Sequence, residues 1–114
     1  MGYPATMLTA SYDGNAEFHV VVDVIADPPC VTVWGELDLA SVAAFRDALN
    51  EALDTGARHI VVDVEHITFL GSTGIRELMR VRPLVDRLEV RAPTPIVRRA
   101  LRSASLGDAL NVVK

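Results

Sequence analysis

Residues 63–79, DVEHITFLGSTGIRELM, decide how the rest of the chain is read. The stretch is entered through Ile60, Val61 and Val62, which with Val64 form a β-branched run too short and too apolar for a solvated helix, the pattern of a buried strand. It leaves as a helix: Ile75, Leu78 and Met79 fall at i, i+3 and i+4, with Arg76, Glu77 and Arg80 on the other side. Between strand and helix lies Gly71-Ser72-Thr73-Gly74, two small hydroxyl residues at the expected helix N-terminus between glycines. Such a junction sets hydroxyls at the surface beside unpaired backbone N–H groups and the positive end of a helix dipole.

Upstream of this stretch, residues 18–25 and 31–34 read as two strands, and Asp27-Pro28-Pro29 between them cannot continue a ladder, which predicts an antiparallel hairpin. Asp38 then serves as the expected N-cap of a helix in which Val42, Phe45, Leu49, Ala52 and Leu53 recur on one face, and Thr55-Gly56 ends it. Returning to the strand at residues 59–64 in the same sheet makes a β-α-β crossover, expected to be right-handed. Downstream, Pro83 stops the second helix near Arg82, a strand follows at residues 88–91, and Thr94-Pro95 opens a third helix. That helix carries Ile96, Val97, Ala100, Leu101 and Ala104 on one face and Arg98, Arg99 and Arg102 on the other, and Gly107 is its expected stop. Residues 110–113 read as a short edge strand or a tail. Trp34, flanked by β-branched residues, and Met79 are both expected in the core.

A chain of 114 residues is one domain. Half of it is apolar, which places it among globular rather than disordered chains. No signal peptide or membrane-length apolar run is present, so the expected location is the cytoplasm. Residues 1–17 have no sustained period and read as a flexible extension, with the domain at 18–114. Cys30 is the only cysteine, which excludes an intrachain disulfide and any Cys-x-x-Cys metal motif; the expected state is a reduced monomer. The net charge of −4 is uneven: up to Gly71 there are eleven acidic residues against two basic, and from Ser72 onward four against nine. Interleaving of strands from the two halves is expected to blur that polarity in space. An acidic chain without a basic stripe of stacking aromatics excludes nucleic-acid binding as the leading function.

Three linked motifs, GELDLASVAAF at residues 35–45, ARHIVVDV at 57–64 and ITFLGSTGIREL at 67–78, resemble in order and spacing the bacterial anti-sigma-factor antagonists and the wider STAS domain they define. The resemblance implies an α/β fold with a mixed sheet of four to five strands and helices mainly on one side. It implies a binding module rather than an enzyme: one that sequesters a kinase-type anti-sigma factor and so releases a sigma factor, with no cofactor of its own. The family's loop reads Asp-Ser-Ser/Thr-Gly-Leu, and the hydroxyl after the Asp is its phosphorylation site, which corresponds to Ser72. Glu36, Asp38, Gly71, Thr73, Gly74, Ile75 and Arg76 are carried over as partner-binding residues. Gly71 stands where the family has Asp, and the second helix is shorter than usual. A constitutive scaffold or adaptor without a phosphoswitch is the alternative that these departures favour.

Other chemistry fits poorly. From spacing alone, Ser72 and Thr73 read as helix caps. Gly-Ser-Thr-Gly does not match the G-x-S-x-G nucleophile elbow or a P-loop, and His19, His59 and His66 lie on or beside strands rather than in a triad pattern. No catalytic or metal-ligating residue is assigned.

Overall fold

The two valine-rich runs pair antiparallel around the proline turn, as their pattern predicts, and everything after them adds in chain order. The computed structural model describes residues 11–12, 18–104 and 110–113. Its strands are β1 (Ser11–Tyr12), β2 (His19–Asp23), β3 (Cys30–Leu37), β4 (His59–Leu70), β5 (Arg87–Arg91) and β6 (Asn111–Val113), and its helices α1 (Val42–Asp54), α2 (Ser72–Val81) and α3 (Pro95–Ser103). The sheet order is β1-β2-β3-β4-β5-β6. Pairing is antiparallel through β3 and parallel from β3 to β6. The sheet is therefore mixed, with one strand more than expected. The extra one is β1, two residues within the stretch read as an extension; the rest of that stretch, like Gly107, lies outside the described residues.

Chain-order stacking explains why the helices share a side. Each of the crossovers through α1, α2 and α3 advances one strand in the same direction, and crossovers of one hand that never reverse direction leave their helices on one face. A single core results, from Val20, Val22, Val31, Val33, Ile60, Val62, Leu88 and Val90 of the sheet and Phe45, Leu49, Leu78, Val81, Val97 and Leu101 of the helices. The opposite face carries polar contacts, both between strands and along them. Glu89, buried on β5, draws His59 at 3.3 Å and Arg91 at 3.2 Å. Trp34 belongs to this open face and not to the core: its ring stacks on His66 at 5.5 Å and tilts against His19 at 5.4 Å.

The strand-to-helix connections are specific. Asp38 does not cap α1. Ser41 holds the N-cap position, fully buried, accepting from the Asp38 N–H at 3.0 Å and donating to the Glu36 carbonyl at 2.8 Å. Asp38 instead makes a tight turn, its carboxylate accepting from the Ala40 N–H at 3.0 Å. Gly56 follows α1 with φ of +80°, the left-handed residue expected there. Thr94 caps α3 through the Val97 N–H at 3.3 Å. Pro83 turns the end of α2 into a short 3-10 segment, Arg82–Leu84. No helix among the described residues is long and apolar enough to cross a membrane.

Two irregularities aim β4 at the loop that follows it. Its register with β3 gains one residue between Thr32 and Trp34 and another between Gly35 and Glu36. Burial along β4 accordingly changes from alternation at Ile60, Val62 and Val64 to steps of three at Ile67 and Leu70. Gly35 sits at the second shift with φ of +91°, a conformation a side chain disfavours.

Candidate functional site

The last residues of β3 and β4 lie side by side, and the Gly71-Ser72-Thr73-Gly74 loop rises from their common end. Glu36 pairs with Phe69 and Leu37 with Leu70 in the sheet, after which the Gly71 N–H donates to the Leu37 carbonyl at 2.9 Å. This bond holds the loop against the Glu36–Asp38 end of β3. Gly71 is the N-cap of α2, with extended backbone and a carbonyl that accepts from the N–H groups of Gly74 at 3.1 Å and Ile75 at 3.2 Å.

Ser72 is the first residue of α2 and is exposed. Neither it nor Thr73 caps the helix, since Gly71 occupies that position and no side chain makes a cap hydrogen bond. The expectation that both hydroxyls cap the helix is thereby corrected, and the Ser72 hydroxyl stands at the positive end of α2 without a structural task as a cap. Thr73 and Ile75 are half-buried, Ile75 packing against the core, and Arg76 is exposed one turn beyond Ser72. Glu36 is exposed and Asp38 half-buried. Seven of the eight residues singled out from the sequence thus have surface to offer at this end of the sheet, namely Glu36, Asp38, Gly71, Ser72, Thr73, Ile75 and Arg76, and only Gly74 is buried.

The two glycines differ. Gly74 is buried, and a Cβ there would stand 2.7 Å from Leu37 Cγ and Cδ2 and 2.8 Å from Leu70 Cδ1, so its part is to let α2 approach the sheet. A Cβ on Gly71 would meet the Phe69 ring at 3.2 Å and the Leu37 carbonyl at 3.5 Å. Its φ of −88° is open to any residue, so only the half-exposed Phe69 ring stands in the way of a side chain.

Three features of the rim escaped the sequence. Leu39, 78% exposed, and Phe69 are apolar residues at the ends of the strands beside the loop. Met79 is exposed on α2 rather than in the core, while Glu77 is buried on the helix's other side. Glu77 receives Arg46 of α1 at 2.8 Å and Arg80 at 2.9 Å, and Arg80 also donates to Asn50 Oδ1 at 2.9 Å. Burial works to raise the Glu77 pKa, but the hydrogen bonds and charges of Arg46 and Arg80 outweigh it and hold the carboxyl below its ordinary range. The helix bearing Ser72 is thus fastened to α1 by a charged clamp. Among the described residues no group of His, Cys, Asp and Glu is arranged to hold a metal ion.

Known proteins share this fold. The family model described as Mlab, STAS domain, matches residues 15–114. A segment of 48 residues is 33% identical to the anti-sigma-F factor antagonist RsfB of Mycobacterium tuberculosis, in two strains, covering 42% of this chain and 39% of that protein. The crystal structure of an anti-sigma factor antagonist from Mycobacterium paratuberculosis superposes with a TM-score of 0.77 at 22% identity, over 91% of this chain and 90% of the other. Unphosphorylated SpoIIAA, an anti-sigma factor antagonist, superposes with a TM-score of 0.70 at 19% identity, over 83% and 88% of the two chains. The match of the family model over nearly the whole chain, on a one-sided α/β sheet, places this protein in the STAS domain family.

Proposed function

We propose that the chain is an anti-sigma factor antagonist, a binding module that captures a kinase-type anti-sigma factor and thereby releases a sigma factor, with phosphorylation of Ser72 as its off-switch. The observation that carries this reading is the Ser72 hydroxyl, exposed at the first position of α2 and free of any cap bond, on the rim that also presents Glu36, Asp38 and Arg76. The partial match to RsfB and the fold shared with SpoIIAA support it. The partner's ATP supplies the γ-phosphoryl group, Ser72 Oγ takes it and gives up its proton, and ADP leaves. Phosphate adds about −1.5 to −2 charges. Within the molecule the N-terminal amides of α2 and Arg76, four residues on, accommodate that charge. Against a partner surface that packs on Leu39, Phe69 and Met79 it is desolvated, so binding is lost without a change of fold. The protein acts as a cytoplasmic monomer until the partner binds.

A second reading is a constitutive STAS adaptor without a phosphoswitch. Gly71 favours it, because the loop lacks the acidic side chain of the phosphorylated family members and Phe69 crowds its place. Incubation with a kinase-type anti-sigma factor and ATP, followed by mass spectrometry, separates the two. One phosphate on Ser72 and weakened binding of the product are expected; no incorporation alongside intact binding leaves the adaptor.

A further inference from the structure

The strands lie in chain order, so the change of sign in the sequence becomes a change of sign across the molecule. This overturns the expectation that interleaved strands would blur it. The acidic half up to Gly71 holds β1 to β4 and α1, and the basic half from Ser72 holds α2, β5, α3 and β6. Within the basic half, Arg80, Arg87 and Arg91 are engaged by Glu77 and Glu89. Arg98, Arg99 and Arg102 on α3 form no ion pair among the described residues.

Two of these three frame a cleft. Among the described residues, Arg98, Leu101 and Arg102 of α3 and Val112 of β6 line a hollow of about 160 Å³. Leu101 is buried and Val112 half-buried, which gives the hollow an apolar floor, while the arginines form its rim. Small-molecule sites run to about 300–1,000 Å³, so this hollow suits one side chain rather than a metabolite. An apolar anchor seated among guanidinium groups is the arrangement of an interface hot spot, with charge setting the partner.

We infer that the α3–β6 cleft docks an acidic segment of a second partner protein, one that seats a leucine-sized side chain on Leu101 and Val112 and sets carboxylates against Arg98 and Arg102. The site lies at the opposite end of the sheet from β1 and does not include the Ser72 rim, so it is independent of the function proposed above. The occupant proposed is another protein; a second copy, whose acidic half on the basic half of the next would make a head-to-tail ring or filament, is the alternative that sedimentation tests.

The test is fluorescence anisotropy with a fluorescein-labelled peptide carrying one leucine flanked by aspartates and glutamates. Saturable binding that weakens with added salt is expected. Replacing the leucine by serine, or making Arg98→Glu with Arg102→Glu, should weaken it by about tenfold or more, the scale of one lost hot-spot contact. Arg98→Gln with Arg102→Gln should also weaken it, which guards against misfolding of the reversed variant, and circular dichroism checks both. Arg99→Glu, off the cleft, and Ser72→Asp should change it by less than about threefold, a difference under 1 kcal/mol. Equal binding by wild type and both double variants overturns the proposal. So does full competition by millimolar inorganic phosphate, which would mark a simple anion site, and so does self-association in sedimentation that the double variants abolish, which would make the occupant a second copy.

Discussion

Arg46 on α1 and Glu77 on α2 meet as a fork, Nη2 at 2.8 Å and Nε at 3.1 Å from the same carboxylate oxygen, although only Glu77 is buried. The pair ties the Ser72-bearing helix to its neighbour. Glu77→Gln keeps the shape but loses the charge, and should destabilise the fold by about 1.5–3 kcal/mol, the range for hydrogen bonds to charged groups. Because the folded-state pKa of Glu77 is depressed, its contribution is present above the unfolded carboxylate value of about 4.3 and is lost as pH falls through the folded value. Urea denaturation between neutral and acid pH should therefore show a smaller acid loss in Glu77→Gln than in wild type.

Gly74→Ala and Gly71→Ala should behave differently. At Gly74 the new methyl group collides with Leu37 and Leu70 beneath the helix, and overpacking of that kind costs about 1–3 kcal/mol. At Gly71 the obstacle is one half-exposed ring that can turn aside. Thermal melts should show a clear drop for the first and little change for the second.

Ser72→Ala removes no cap bond, so its melting temperature should match wild type and its partner binding should persist. On the proposed reading Ser72→Asp places a charge where partner contact strips its water, and affinity for a kinase-type anti-sigma factor should fall by about 2–5 kcal/mol. Calorimetry at two salt concentrations reads both, and equal binding by all three forms removes the phosphoswitch.

Val62→Asp should abolish folding. Val62 is fully buried in β4, between β3 and β5, and an unpaired carboxylate there costs several kcal/mol against the ~5–15 kcal/mol that holds a domain together. Loss of the native circular dichroism spectrum is the readout.

Cys30 lies within β3, paired to Asp23 and Val61, and is half-buried rather than presented by the turn. Burial is the chief cause of its raised pKa, with Asp63 adding to it and a Thr32 contact opposing. Its reaction with a disulfide reagent at neutral pH should be slower than that of an unfolded control and should accelerate as pH rises. Cys30→Ser should keep the oligomeric state and the partner binding of wild type.

The strands and helices were legible because their signals are local: β-branched runs at Val20 to Val22 and Ile60 to Val62, the Pro28-Pro29 turn, Thr94-Pro95. The inner face of α2 was not. Its buried stripe runs Gly74, Glu77, Leu78, Val81, a helical period whose first member has no side chain and whose second is charged, so hydropathy handed the stripe to Met79 instead. Arg46, the residue that makes a buried Glu77 tolerable, is 31 positions away. Ser41 likewise takes the cap expected of Asp38 because the chain after β3 turns once more before α1 begins. Trp34 was misplaced because its β-branched neighbours alternate with it across the sheet. Strand order is a non-local property that no single window contains, and with it went the spatial polarity of charge.

A sheet stacked in chain order also has a direction in time. From β2 onward each strand joins the outer edge of what precedes it, and none has to be inserted between two strands already paired. During synthesis at about 5–20 residues per second, the nascent protein can therefore grow its sheet as it emerges, each helix closing over the strand just laid down. Among the described residues the edge on that side of the sheet is three-residue β6, which by itself is too short to recruit a long foreign strand.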